Sequence, residues 1–297
     1  FFGSRSFRLA KKIGGIMSRF TDEYKIKYEG CLKRVQKPAR YIGNEFGSVH
    51  KKWSDDMLTF AFCFPDVYEV GMSHLGMKIL YHMLNEREDT VCERVFAPWD
   101  DMEQEMRKEG IPLLSMESYV PVKNFDFIGF TLQYEMSYSN IVNMLDLAGV
   151  PLRTAERTAG DPFVCCGGPC AYHAEPLSDF VDFFILGEGE EVNSEIMDVY
   201  KEWKNSGSTD RDDFLMSIIP LGGVYVPKFY DVEYNDDNTI SRFEPNREGV
   251  PKQVRKRIIL NMDNTYVPKK LIVPFMETVH DRIMLELFRG CIRAVSY

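Results

Sequence analysis

Cysteine is the first residue type here that could do chemistry, and it occurs at Cys31, Cys63, Cys92, Cys165, Cys166, Cys170 and Cys291. Thiolates are soft ligands that suit iron–sulfur clusters and zinc. Cys165, Cys166 and Cys170 lie close together, but no second Cys/His pair completes a four-ligand set. Neighbours such as Cys165 and Cys166 on a strand would also point to opposite faces. An odd number of cysteines in a chain of 297 residues argues for free thiols in a reducing, cytoplasmic setting rather than a disulfide framework. Cys291 stands apart, in Arg289-Gly290-Cys291.

The next candidates are backbone devices. In Cys166-Gly167-Gly168-Pro169 the paired glycines allow a flat ligand to approach the main chain closely. Gly187-Glu188-Gly189-Glu190 sits where a strand should pass into a helix, and its acids would also suit the positive helix end. His74 lies in Met72-Ser73-His74-Leu75-Gly76, just after the first strand-like run. That run is followed by a single glycine in Pro65–Gly71, so no dinucleotide-binding GxGxxG is present. No GxSxG elbow supports a hydrolase. A formal net charge of -9 disfavours direct binding of nucleic acid by this portion. No apolar run approaches the length of a bilayer span.

Alternating strand and helix patterns must position these residues. Leu58–Phe64 is an apolar run stopped by Pro65, and Leu75, Ile79, Leu80, Met83 and Leu84 share a helical face. Strands are expected at Val91–Phe96, Leu113–Met116, Phe127–Leu132, Phe163–Cys166 and Phe183–Leu186, with intervening helices over Trp99–Glu109 and around Ile141–Ala148. Val192, Ile196, Val199, Tyr200 and Trp203 mark a final amphipathic helix. The pattern predicts an α/β domain with a doubly wound, mostly parallel, flavodoxin-like sheet over residues 58–205. Ligands of such sheets bind beyond the carboxyl ends of the strands, which here means loops 65–73, 131–138, 167–175 and 187–191.

Outside that domain the pattern changes. Residues 1–20 carry five basic and no acidic side chains and read as a transit-like leader, a disordered tail, or translated sequence upstream of a start at Met17. Residues 21–57 read as helical and then irregular. Residues 206–278 read as a β-hairpin, with Gly222–Pro227 and the following Phe229–Tyr234 as one strand and Thr239–Phe243 as the returning one, followed by a linker rich in Lys, Arg and Pro. Ile283–Leu287 is a further strand candidate within a closing section, 279–297.

The ordered series Cys166-Gly167-Gly168-Pro169, Pro176 and Asp182 through Glu190 resembles the closing half of the cobalamin-binding-type Rossmann domain found before many radical-SAM catalytic domains. With Arg40–Glu45, Tyr68–Gly76 and Val279–Cys291, the resemblance covers roughly residues 30–293. It implies that 279–297 begins a radical-SAM barrel. In that superfamily three cysteines spaced CxxxCxxC hold a four-iron, four-sulfur cluster, to which S-adenosylmethionine binds. Cys291 would be the first cysteine, but Val295 stands where the second should be, so either truncation or a frameshifted tail is expected, and no catalysis by the chain as given.

The resemblance also implies where a cobalamin would sit. The family's DxHxxG, SxL and GG loops correspond to Ser73, His74 and Gly76, to Thr131 and Leu132, and to Gly167, Gly168 and Pro169, with Gly187 and Glu188 completing the rim. Met72 replaces the acid and Gly76 falls one position early, so the ligand triad of His-on cobalamin proteins is broken. Cobalamin held without a protein histidine remains open beside it. The expected function is the cofactor-binding or accessory portion of a radical-SAM enzyme. Its partner would be its own radical-SAM domain, and its substrate a protein, an RNA or a small molecule. Carbon methylation and RNA modification are the chemistries the resemblance suggests. The alternative is a ligand-free scaffold that docks the barrel or a partner protein.

Overall fold

A computed structural model describes residues 22–54 and 56–289. A first helix, α1, covers residues 22–31. The alternating region then runs β1 (Leu58–Phe64), α2 (Tyr68–Gly71), α3 (Leu75–Glu86), β2 (Thr90–Phe96), α4 (Asp100–Glu109), β3 (Phe127–Thr131), α5 (Tyr138–Ala148), β4 (Phe163–Gly167), β5 (Phe183–Ile185) and α6 (Gly189–Ser206). It continues through α7 (Arg211–Ile218) and β6 (Val224–Tyr225) before a separate hairpin of β7 (Tyr230–Tyr234) and β8 (Ile240–Pro245).

The main sheet has the order β2-β1-β3-β4-β5-β6. Its first five strands are parallel, and β6 pairs antiparallel to β5 through Phe184–Tyr225 and Ile185–Val224. The parallel part has the flavodoxin-like order expected from the strand–helix alternation. Such an order reverses direction between β1 and β3 and leaves a crevice there at the carboxyl edge.

Every residue of β1 and β3 is buried, because helices cover both faces of a parallel sheet. On one face Phe127, Phe163, Phe183, Tyr200, Trp203 and Phe214 form a ring cluster that joins the sheet to α6 and α7. Each buried ring of this kind stabilises the fold by about 1.5–3 kcal/mol relative to an exposed one.

The edge strand β2 is also buried throughout, although its sequence includes Glu93 and Arg94. Residues 45–53 and the 115–119 loop cover it. Arg94 donates to Glu45 and Glu117 at 2.7 Å each, and Tyr68 donates to Glu45 at 2.7 Å. Trp53 and Ser118 donate to Glu93. The side chains thus close an edge that would otherwise offer free backbone groups.

Three sequence expectations change. The segment 206–278 is not all hairpin and linker, since α7 and β6 extend the main sheet beyond residue 205. Leu113–Met116 makes one isolated bridge, Leu114 with Pro121, because it folds back on the following residues through Ser115 N–H to Val120 O and Val122 N–H to Leu113 O and meets β2 through Met116 N–H to Arg94 O. Ile283–Leu287 forms no strand, since none of the described residues pairs with it. Instead, residues 251–289 form a strap with little regular structure. It bonds to the sheet's carboxyl edge through Arg257 N–H to Leu186 O (2.9 Å) and reaches the β2 side through Val273 N–H to Phe46 O (2.8 Å). No helix among the described residues is long and apolar enough to cross a membrane.

Candidate functional site

The crevice at the carboxyl edge opens into a cavity of about 410 Å³ between the sheet and helices α3 and α6. Its floor is Phe60, Phe62, Gly129 and Cys165, and its helical wall is Leu75, Gly76, Ile79, Leu80 and Asn193. The loops after β1, β3, β4 and β5 bring His74, Thr131, Gly167, Gly168, Pro169, Gly187 and Glu188 to its rim. Residues spread over more than a hundred positions therefore meet because parallel strands put all of their carboxyl ends on one side.

Each of these residues has a definable local task. The His74 side chain caps α3, its Nδ1 accepting the Met77 N–H at 3.1 Å. In the neutral ring the proton then lies on Nε2. Burial pulls the His74 pKa below its ordinary value, while a hydrogen bond with Gln133 works the other way. With Nδ1 accepting from the helix and the proton on Nε2, the ring in this arrangement serves as a cap, and a ligand role for His74 would require that cap to be released. Gly76 makes room for that ring, since a Cβ there would come 2.9 Å from the His74 Cε1.

Gly168 has φ +103°, and a Cβ on it would meet the Leu132 carbonyl oxygen at 2.7 Å. Its smallness lets the loop after β4 pack against Leu132, and Gly168 also lines the cavity. Leu132 is fully buried, and its N–H donates to Gly167 O at 2.7 Å. It locks the two loops together and does not line the cavity. Gly167 is different: a Cβ there would make ordinary van der Waals contact with Ile185, at 3.7 Å from its carbonyl oxygen, without a clash. Thr131 accepts a hydrogen bond from Gln133 at 2.6 Å. Ser73 lies in an adjoining hollow of about 240 Å³, where it accepts the His280 N–H at 2.9 Å.

Gly187 has φ +99°, and a Cβ would come 2.1 Å from the Arg257 carbonyl oxygen, so this glycine seats the strap. Glu188 accepts the Ile259 N–H. Arg289 lines the mouth and bonds Glu190 and Glu286, with Glu188 3.4 Å away. These contacts hold the stretch just before Gly290 against the N-terminus of α6. Phe60, Phe62, Gln133 and Asn193 were not foreseen. Buried aromatic residues and an amide within a helix carry no sequence mark that separates them from ordinary core. Cys291 lies outside the described residues.

Among the described residues, no group of three or more His, Cys, Asp or Glu side chains could hold a metal ion. Cys165 and Cys166 are buried, and burial pushes both thiols above the usual range. A larger cavity, about 590 Å³, lies near the amino ends of β4 and β5. Its charges neutralise one another, Arg157 and Arg211 on Asp182 and Lys228 on Asp212, so it presents few open valences to a ligand.

The fold and cavity define an α/β domain that can receive a ligand at the carboxyl edge of a parallel sheet. Residues 76–227 match the family described as radical SAM proteins, N-terminal, and this is just over half of the 297-residue chain. The chain belongs to that family. The match runs through β6, in agreement with the sheet's extension past residue 205. The chain is also 26% identical over 131 residues to an uncharacterized protein of Methanocaldococcus jannaschii, covering 44% of this chain and 24% of that protein. It thus spans about a quarter of the length of that curated relative. No solved structure matches.

Proposed function

We propose that this chain is the cofactor-handling N-terminal part of a radical-SAM enzyme, and that the 410 Å³ cavity receives an apolar arm of a cobalamin without a histidine ligand. The observation that carries the reading is the meeting of the His74, Thr131, Gly167–Pro169 and Gly187–Glu188 loops around one largely apolar slot. Such slots with a few polar groups at the rim are the usual form of small-molecule sites. Leu75, Ile79, Leu80, Phe60 and Phe62 would contact the arm, and Gly167 would leave space beside it. Cobalamin, when bound, supplies a cobalt centre that can carry a methyl group.

S-adenosylmethionine and a four-iron, four-sulfur cluster belong, on this reading, to the full-length protein, with Cys291 as a cluster ligand. The proposed partner is the radical-SAM domain itself. Ile283, Leu285 and Leu287 alternate along an unpaired extended stretch and are 79%, 73% and 83% exposed, as a strand lacking its neighbours would be.

Equilibrium binding of hydroxocobalamin to the purified chain tests the reading. Wild type should bind, and Gly167→Leu should weaken binding about tenfold or more, since filling the slot costs at least about 1.4 kcal/mol. Unchanged folding in Gly167→Leu, checked by circular dichroism, isolates the effect. A second reading, a ligand-free scaffold, is favoured by the engagement of His74 as a helix cap. Failure of any corrinoid to bind the folded chain would establish it over the first.

A further inference from the structure

The carboxyl-edge cavity is walled mainly by buried apolar side chains, among them Phe60, Phe62, Ile79 and Ile185. Its few polar groups can be accounted for one by one. The His74 ring caps α3 and bonds with Gln133, and Gln133 donates to Thr131. Glu190 and Glu286 pair with Arg289, and Glu188 accepts the Ile259 N–H. Asn193 differs. It stands one turn into α6, is 7% exposed, and donates from Nδ2 to the Gly189 carbonyl at 2.6 Å. That bond fixes which way the amide faces, because a carbonyl oxygen accepts only from the nitrogen. The Oδ1 is then left without a hydrogen-bond partner among the described residues. It is not sealed in protein either: the sealed side-chain atom without a partner among the described residues is His82 Nε2. The space beside this otherwise buried amide is the cavity that Asn193 lines.

We propose that Asn193 is the specificity-determining residue of this cavity, its Oδ1 accepting a hydrogen bond from an N–H or O–H of an uncharged, largely apolar ligand. The inference rests on the reading of this cavity as a ligand site, and not on cobalamin being its occupant. An occupant displaces the water that serves the Oδ1 in solution. It must then replace that hydrogen bond or leave the acceptor unpaired among apolar walls, which is costly. A site built around such a group rejects analogues that lack the matching donor far more strongly than an apolar pocket rejects a change of size. The walls disfavour a charged ligand for the same reason, since they offer little to replace its hydration. Gly189 is the positioning residue: a Cβ there would come 2.8 Å from the Asn193 Nδ2 and push the amide out of this orientation. The second glycine of Gly187-Glu188-Gly189-Glu190 thereby gains a task distinct from that of Gly187, which seats the strap.

Equilibrium dialysis of the whole chain against indole and against N-methylindole tests this, since the two share an apolar bicycle and only indole carries an N–H donor. Wild type should bind indole about tenfold more tightly or better, the difference expected when a buried acceptor goes unpaired. Asn193→Leu removes the acceptor at similar size and should abolish the preference, chiefly by weakening indole. Equal binding of the pair by wild type, binding of neither, or a preference that survives in Asn193→Leu would overturn the proposal. If Asn193→Leu fails to fold, the Asn193 side-chain amide is followed by NMR in asparagine-labelled wild type. A saturable shift of that amide with indole and not with N-methylindole supports the bond, and the same response to both removes it. Hydroxocobalamin is dialysed in parallel. Indole selectivity without hydroxocobalamin binding would keep the role of Asn193 and remove the cobalamin reading. Hydroxocobalamin binding without indole selectivity would do the reverse.

Discussion

Two regions of this domain bury polar side chains, and they do so on opposite terms. At the β2 edge Arg94, Glu45, Glu117, Glu93, Tyr68 and Trp53 satisfy one another within a dry network. At the carboxyl edge Gly167, Thr131, His74 and Glu188 stand around an open, largely apolar slot. The edge network contains the more extreme electrostatics: burial and then Glu117 push Glu93 up to about 7, while Glu45, despite its burial, is held below the usual carboxylate range by Arg94. Perturbed titration alone would have pointed to the wrong region. A network whose donors and acceptors are all used serves the fold, whereas a site for a ligand has surface left to offer.

This contrast can be broken by experiment. Arg94→Met should be the most damaging change, because it strands Glu45 and Glu117 without their cation. A loss of about 3–5 kcal/mol is expected from the urea-unfolding midpoint. A loss below about 1 kcal/mol would mean that the edge network is not a structural unit.

Glu93→Gln should make a smaller change whose sign depends on pH. The folded-state pKa of Glu93 is raised, so the neutral carboxyl's contribution is fully present below the unfolded value and is lost as pH rises through about 7. Wild type should therefore lose stability from about pH 5 to about pH 8 relative to the Gln variant, by an amount on the order of 2 kcal/mol. Parallel pH profiles of the two proteins would remove Glu93 from the account.

His74→Ala sharpens the other side of the comparison. It deletes the α3 cap and should cost about 1 kcal/mol in thermal or urea unfolding. On the proposed mode without a histidine ligand, the visible spectrum of any bound corrinoid should stay unchanged. A shifted cobalt spectrum in this variant would restore His74 as a ligand.

The strand–helix alternation and the loops that form the rim were legible in the chain, because parallel strands buried on both faces read as unbroken apolar runs, whereas the order of the strands is set by their pairing in space. The Gly167-Gly168 pair was legible as a special backbone position, but its two members have different employments that the letters do not distinguish. A Cβ on one would rest in ordinary contact with Ile185, and on the other would collide with the Leu132 carbonyl. The residues of the sixth strand read as one strand with those of the hairpin, and only the turn at Pro227–Phe229 splits Val224–Tyr225 off to pair with β5.

By itself the sequence determined the class of sheet and which four loops would share its carboxyl edge, since local periodicity sets elements and parallel pairing sets the side on which their ends lie. Tertiary structure alone decided which buried charges are spent on each other and which face a cavity. Glu45 and Glu117 meet Arg94 from 49 and 23 positions away, whereas no carboxylate among the described residues pairs with Lys78. Partners so far apart in the chain leave no local pattern, and whether a buried charge is satisfied is a property of distances in space.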